Sequence, residues 1–428
     1  VNAETLELAR LQFAVTAGAH FLFVALTLGL ATIVACVQLR ATVSRDPVRT
    51  EMVRFWGQLY VINYAMGILT GLVMELQFGL SWSGLTHFAG NVFGSALAME
   101  TLVAFFIEST FLAVWIFGWG RLGPWAHVAV FWVVALTAYA SAYWILVANG
   151  LMQNPVGTRV DGDTLVVTDL SAVLTNPSAV TAFWHIAGGA LLTGGFLVAG
   201  VSAYHLYRRS RHGELFTRSL RIGVFTALAG LVLSVVTGGM QFEWLGDVQA
   251  MKIAAFEGDS AELDALQAAM SAQFGAGDYT PPSLARAGGV VMLLAFALML
   301  WLLIAGALLA SFRRAVLRFR LWHVVLVASI PLPYIAMIAG WVFREVGRQP
   351  WVVYEMLTVE DAVSDVSDTV MRASLLTFTA IFGTLIAVTV WLLARHARRD
   401  PGTGFLGRVI DERGGQEPST AVLTFVGR

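Results

Sequence analysis

Nine runs of apolar residues, each long enough to cross a lipid bilayer, dominate this sequence. They fall near 11–39, 56–80, 93–119, 125–149, 180–207, 220–245, 285–310, 321–345 and 374–395. A bilayer core takes about 20 residues of helix, and inside it only structures that satisfy every backbone group internally survive. The expectation is therefore an all-α integral membrane protein with nine transmembrane helices. The chain is 57% hydrophobic with a mean hydropathy of +0.71, and its 13% charged residues compare with roughly 25% in a soluble domain. The first run is too long for a signal-peptide core and has no small-residue cleavage site behind it, so it is expected to stay in the membrane. No basic or glycine-rich phosphate motif argues for nucleic acid. The single Cys36 lies inside an apolar run, which excludes a disulfide framework and a thiolate metal site.

An odd number of spans puts the two ends on opposite sides. The loops after the first, third, fifth and seventh runs, together with the tail, hold most of the 27 basic residues, with Arg208, Arg209, Arg211, Arg218 and Arg221 clustered. By the positive-inside rule the N-terminus lies outside and the C-terminus in the cytoplasm. The chain then divides into helices one to six (1–245), a long outer loop (246–284), helices seven to nine (285–395) and a cytoplasmic tail (396–428). The loops 81–92, 150–179, 246–284 and 346–373 face outside. The tail, with Asp400-Pro401-Gly402 and Gly414-Gly415, is expected to be disordered.

Ionisable groups within spans are costly and by default mark function. His20 lies in the first run, Glu100 and Glu108 two turns apart in the third, and His185 opens the fifth. Arg286 opens the seventh run and Glu345 ends the eighth. All converge on the outer half. A lone membrane histidine is as often a packing residue as a ligand, and Glu75 reaches an interface as easily as a site. Two histidines, two or three carboxylates and an arginine at one depth outweigh those plainer readings. The stretch Gly340-Trp341-Val342-Phe343-Arg344-Glu345-Val346-Gly347-Arg348-Gln349-Pro350-Trp351 is richer than a headgroup anchor requires. Pro350 turns the chain there and fixes the charges at one depth. Among 27 basic residues Lys252 is the only lysine. With Glu257 it reads as a substrate-handling pair on an outer surface, against the plainer reading of a short amphipathic surface helix.

The order of motifs resembles subunit I of cytochrome bd, the bacterial quinol oxidase, over nearly the whole chain. The matching stretches are Arg10-Leu11-Gln12-Phe13, His20-Phe21-Leu22-Phe23, Gly71-Leu72-Val73-Met74-Glu75-Leu76-Gln77-Phe78-Gly79 and Glu108-Ser109-Thr110-Phe111. They continue through Ile145–Pro155, the loop Gly246–Glu257, and Gly347–Trp351. The resemblance implies a heme-bearing subunit of a terminal oxidase in the bacterial cell membrane. Quinol would be oxidised at the outer face, and dioxygen reduced to water with cytoplasmic protons. His185 then resembles the ligand of a low-spin heme b; His20 and Glu345 resemble the ligands of a high-spin heme b and a heme d, in an order left open. Glu100 and Glu108 resemble proton-delivery residues, Lys252 and Glu257 the quinol-binding loop, here in its short form. Trp341 matches a residue between hemes, and Arg286, Arg344 and Arg348 are suited to heme propionates. Implied partners are a second membrane subunit and small single-span subunits. One departure stands out. The family's methionine ligand follows an arginine by two residues, where this chain has Gly288 after Arg286; Met292, one turn on, is the candidate replacement. The rival readings are a related electron-transfer protein without oxygen reduction and a transporter without redox centres. Retention of His20, Glu100, Glu108 and Glu345 argues against the first.

Overall fold

The computed structural model describes residues 2–407. Among them are nine helical segments long and apolar enough to span a membrane. The end of the bundle where the first helix begins is called the top below. The segments are α1 (Ala3–Ser44), α2 (Pro47–Ser81), and a broken third helix of α3 (Ser83–Met99) and α4 (Phe106–Phe117). A wide π-type turn, Glu100–Phe105, joins its two halves. Then come α5 (Pro124–Gln153), a hairpin of β1 (Thr158–Asp161) and β2 (Thr164–Val167), α6 (Leu170–Leu174), α7 (Pro177–Tyr207) and α8 (Gly213–Val248). Above the bundle lie α9 (Ala250–Glu257) and α10 (Ser260–Phe274). The chain returns through α11 (Ser283–Ser311), α12 (Arg313–Arg318), α13 (Arg320–Ala328) and α14 (Leu332–Val346). It ends with a second hairpin of β3 (Trp351–Val353) and β4 (Leu357–Thr358), α15 (Val359–Ala362) and α16 (Asp368–Ala397).

Local chemistry sets the boundaries. Proline opens α2, α5 and α7, where a missing N–H costs nothing. Asn2, Asp46, Asn176 and Ser367 cap the helices that follow them. Pro331 and Pro333 interrupt the eighth run, so it is two helices rather than one.

Small residues decide which helices touch. A Cβ on Gly188 would lie 2.8 Å from the Gly230 carbonyl oxygen, and one on Gly195 2.6 Å from that of Gly223. These glycines let the backbones of α7 and α8 meet. Gly29 on α1 meets Ala190 and Gly194 of α7 in the same way. Close backbone approach through small residues is how membrane helices gain packing contacts when lipid offers no hydrophobic drive. One large apolar cluster fills the lower half, around Leu30, Trp56, Tyr60, Trp115, Phe131 and Phe216. A second sits at the top, around Trp82, Phe88, Leu151, Val353 and Val359. The ionisable groups lie between them.

Three expectations need correcting. Residues 81–92 are not a loop: Trp82 alone forms the corner, and Ser83 starts α3. The 246–284 loop is largely helical, as α9 and α10. The start of the tail is ordered as well. Leu406 is buried, and Gln58 Oε1 accepts the Phe405 N–H at 3.0 Å, because Gly57 leaves a notch on α2 that Leu406 fills. The rest of the tail lies outside the described residues.

Candidate functional site

Each histidine is oriented by a partner on the neighbouring helix. Thr70 on α2 gives its hydroxyl proton to the Met66 and Gly67 carbonyls, both at 2.9 Å. Its oxygen is therefore left to accept from His20 Nδ1, 3.0 Å away. His185 Nδ1 lies 2.9 Å from the Ser234 carbonyl oxygen on α8, which can only accept. Both imidazoles thus carry their proton on Nδ1 and keep the Nε2 lone pair free. Each keeps accessible surface although it sits mid-helix. A glycine faces each ring: a Cβ on Gly71 would stand 3.1 Å from His20 Cε1, and one on Gly238 3.2 Å from His185 Cε1. An imidazole with its far nitrogen bonded to a carbonyl or hydroxyl and its near nitrogen free is the usual arrangement of a metal-ligating histidine.

Helix α14 packs against α11, α7 and α1, which carry Met292, His185 and His20. Trp341 leans on α1, with Cζ3 3.8 Å from where a Cβ on Gly18 would be. Met337 lies against Gly189 of α7, and its sulfur accepts the Thr193 hydroxyl at 3.3 Å. Arg344 donates through Nε to Asn149 Oδ1 at 2.9 Å, through Nη1 to Gln241 at 3.2 Å and through Nη2 to Ser178 Oγ at 3.0 Å. One guanidinium so ties α14 to α5, α8 and α7.

Glu345 is the centre of the top cluster. It accepts from Asn149 Nδ2 at 2.8 Å, Gln153 Nε2 at 3.3 Å and Arg348 Nη2 at 2.8 Å. Gln153 is a hub: its Oε1 takes Lys252 Nζ at 3.2 Å and Gln249 Nε2 at 3.1 Å. Lys252 Nζ also donates to the Arg344 carbonyl oxygen at 3.0 Å, capping the end of α14. Burial, aided by the Arg344 and Arg348 guanidiniums, pulls the Lys252 ammonium well below the usual lysine range. Arg348 is buried, yet its Nη1 has no partner. A buried guanidinium nitrogen calls for an acceptor.

The structure separates the expected pair of Lys252 and Glu257 and sets Arg286 apart from Glu345. Lys252 points inward and is 2% exposed, whereas Glu257 is exposed on the far side of α9. Residues five apart on a helix face different ways. Arg286 is exposed too, its guanidinium within 2.8 Å of where a Cβ on Gly258 would be, at the end of α9, so it braces the upper helices instead of joining the Glu345 cluster. Gly288 is closed against α14: a Cβ there would meet the Ala339 carbonyl oxygen at 2.7 Å. Met292 reaches the same helix one turn on, its sulfur 2.7 Å from where a Cβ on Gly340 would stand. Gly340 is about 4.5 Å above Met337 along α14, and His185 about 6 Å above Gly189 along α7. The Met292 sulfur therefore sits near the level of His185.

A separate carboxylate group lies on the α2 side. Glu100, in the wide turn, accepts from Ser141 Oγ at 2.7 Å and Thr101 Oγ1 at 3.2 Å. Thr101 also approaches Glu75 Oε1 at 3.4 Å. Glu108 is buried, and its hydrogen-bond partner is the Tyr60 hydroxyl, 3.5 Å away. Sequence reasoning assigned no role to Tyr60, Thr70, Asn149 or Gln153. Their signal is a polar group inside an apolar run, which is weak when each is taken singly. Among the described residues, no three His, Cys, Asp or Glu side chains converge on a common point.

The sequence matches the family described as cytochrome bd terminal oxidase subunit I over residues 8–278 and 283–401. It is 35% identical to cytochrome bd ubiquinol oxidase subunit 1 of Bacillus subtilis, covering 92% of this chain and 94% of that one. It is 30% identical to cytochrome bd-II ubiquinol oxidase subunit 1 of Escherichia coli, covering 93% and 97%. The fold superposes on the bd oxidase structure from Geobacillus thermodenitrificans with a TM-score of 0.82 at 24% identity, over 93% of this chain and 99% of that chain. With nine membrane-spanning helices, singly held histidines and a buried arginine-bound glutamate in place, the chain belongs to the cytochrome bd terminal oxidase subunit I family.

Proposed function

We propose that this chain oxidises quinol at the top of the bundle, taken as the outer face of a bacterial cell membrane, and reduces dioxygen to water with protons drawn from the cytoplasm. It is a quinol:oxygen oxidoreductase. The observation that carries the reading is the pair of imidazoles whose Nδ1 protons are committed to Thr70 and Ser234, leaving two Nε2 lone pairs free in an apolar interior. Hemes, when bound, supply one-electron carriers and an iron able to take oxygen. His185 would hold a low-spin heme b, with Met292 completing its coordination in place of a methionine at 288, where this chain has Gly288. His20 and Glu345 would hold a high-spin heme b and heme d. Arg344 and Arg348 would neutralise propionates, and Trp341 would stand between cofactors.

The remaining chemistry is the protein's own. Each quinol gives up two electrons and two protons, and the protons leave on the outer side. The loop that carries Lys252 and Glu257 would bind the quinol. Lys252 acts from behind, through Gln153 and the end of α14, and Glu257 faces the solvent side. Protons for water formation would rise past Glu108 to Glu100. Charge separated in this way, electrons from one side and protons from the other, generates membrane potential. The enzyme is expected to assemble with a second membrane subunit and small single-span subunits.

A reduced-minus-oxidised spectrum of the purified complex tests the core of the reading, since a chain without redox centres gives none. Lys252→Ala and Glu257→Ala should each lower quinol turnover with the heme bands intact, by about 10²-fold where a proton-handling group is lost. Unchanged kinetics in both variants would remove the quinol site from this loop.

A further inference from the structure

Two polar groups on the α2 side of the membrane domain do not meet. The lower one is Glu108 with Tyr60; the upper one is Glu100 with Thr101, Ser141 and Glu75. Tyr64 stands one turn above Tyr60 on α2, with the rings stacked at 5.8 Å and 25°. Its side chain is 7% exposed, and its hydroxyl has no hydrogen-bond partner. Further up α2, Glu75 lies beside Thr101, whose hydroxyl is 3.2 Å from Glu100.

Burying a hydroxyl without a partner costs about 1–3 kcal/mol, and phenylalanine would fill the same volume without that cost. Along α2 the residues Tyr60, Tyr64, Gly71 and Glu75 fall within about 60° of one another. The stripe runs upward from Glu108 to the glycine facing His20. A hydroxyl can accept one proton while giving up another, so a tyrosine between two carboxylates passes a proton without itself becoming charged.

We propose that Tyr64 is a proton-relay residue linking Glu108 to Glu100. The inference rests on the reading of those two carboxylates as the path of proton delivery. In the step, the Tyr64 oxygen takes a proton from the Glu108 side, directly or through one water. In the same event its own proton passes upward toward the Glu100 carboxylate. One O–H bond forms as another breaks, and no redox partner is needed.

The test uses the purified complex with reduced quinol, comparing Tyr64→Phe, Glu108→Gln and the double variant. Tyr64→Phe should slow oxygen consumption by about tenfold or more, with the heme spectrum unchanged and a larger solvent deuterium isotope effect. The double variant should be no slower than Glu108→Gln alone, because both residues serve one path. Wild-type turnover and isotope effect in Tyr64→Phe, beside a slow Glu108→Gln, would overturn the relay and leave the carboxylate path standing. Normal turnover in Glu108→Gln would overturn the path itself. An altered heme spectrum in Tyr64→Phe would make the residue a packing element and also overturn the relay.

Discussion

Glu345 and Glu108 are both carboxylates buried in the same helical bundle, and their surroundings are opposite. Three side chains from α5 and the turn after α14 donate to Glu345, and Arg344 lies within 3.8 Å as well. Glu108 has one tyrosine at 3.5 Å, long for a hydroxyl donor. A group bonded from several directions can change its bonding only by unmaking a network. One held by a single long bond can exchange that bond freely. The contrast is between a carboxylate fixed by a network and one held by a single long bond.

The largest expected effect comes from breaking the fixed side. Removing one partner from a buried ion pair costs about 3–5 kcal/mol, so Glu345→Ala should lower the melting temperature clearly. It should also reduce the heme-to-protein ratio of the purified complex. Full heme content in that variant would mean that Glu345 only braces Arg344 and Arg348. On the mobile side, Glu108→Gln keeps the shape and the fold, with all hemes retained, while oxygen reduction slows by about 10²–10⁴-fold. Loss of heme there would erase the contrast.

Met292→Leu sharpens the comparison further, because it keeps volume and removes sulfur. The low-spin heme signal should disappear from optical and electron-paramagnetic spectra while the other bands persist; an unchanged signal excludes the thioether as a ligand. The smallest effect is expected at Gly288→Ala. Its Cβ would press on the Ala339 carbonyl at 2.7 Å, and overpacking of this kind costs about 1–3 kcal/mol, partly offset by alanine's better helix propensity. The melting temperature should fall by a few degrees, and a rise would show that α11 and α14 have room to separate.

The nine spans were legible because apolar length leaves a membrane helix few alternatives. His20, His185, Glu100, Glu108 and Glu345 stand out in the sequence because an ionisable group inside such a run is rare. The corner at Trp82 was not legible: α2 and α3 pack against each other with one residue between them, and nothing in composition marks where an apolar run folds back. Nor was the parting of Lys252 from Glu257, since sequence proximity suggested a pair that the turn of α9 separates. Gln153 was missed for a further reason. Its role depends on α5, α9 and α14 meeting at one point, and that is a property of tertiary structure alone.

The top of α1 is tied to the top of α16. Asn2 donates to Asp368 at 2.8 Å, Thr5 also bonds Asp368, and Arg372 pairs with Glu4. Lower down, Ala19, beside His20, packs on Phe378 and Phe382 of the same helix. Helix α1, which also packs on α2, α7 and α5, thus closes its remaining side with the last described span. Without α16 the wall beside His20 would lack Phe378 and Phe382 on that side. Closure of the wall beside His20 thus joins the two ends of the described chain, so no shorter stretch of it completes this side of the bundle.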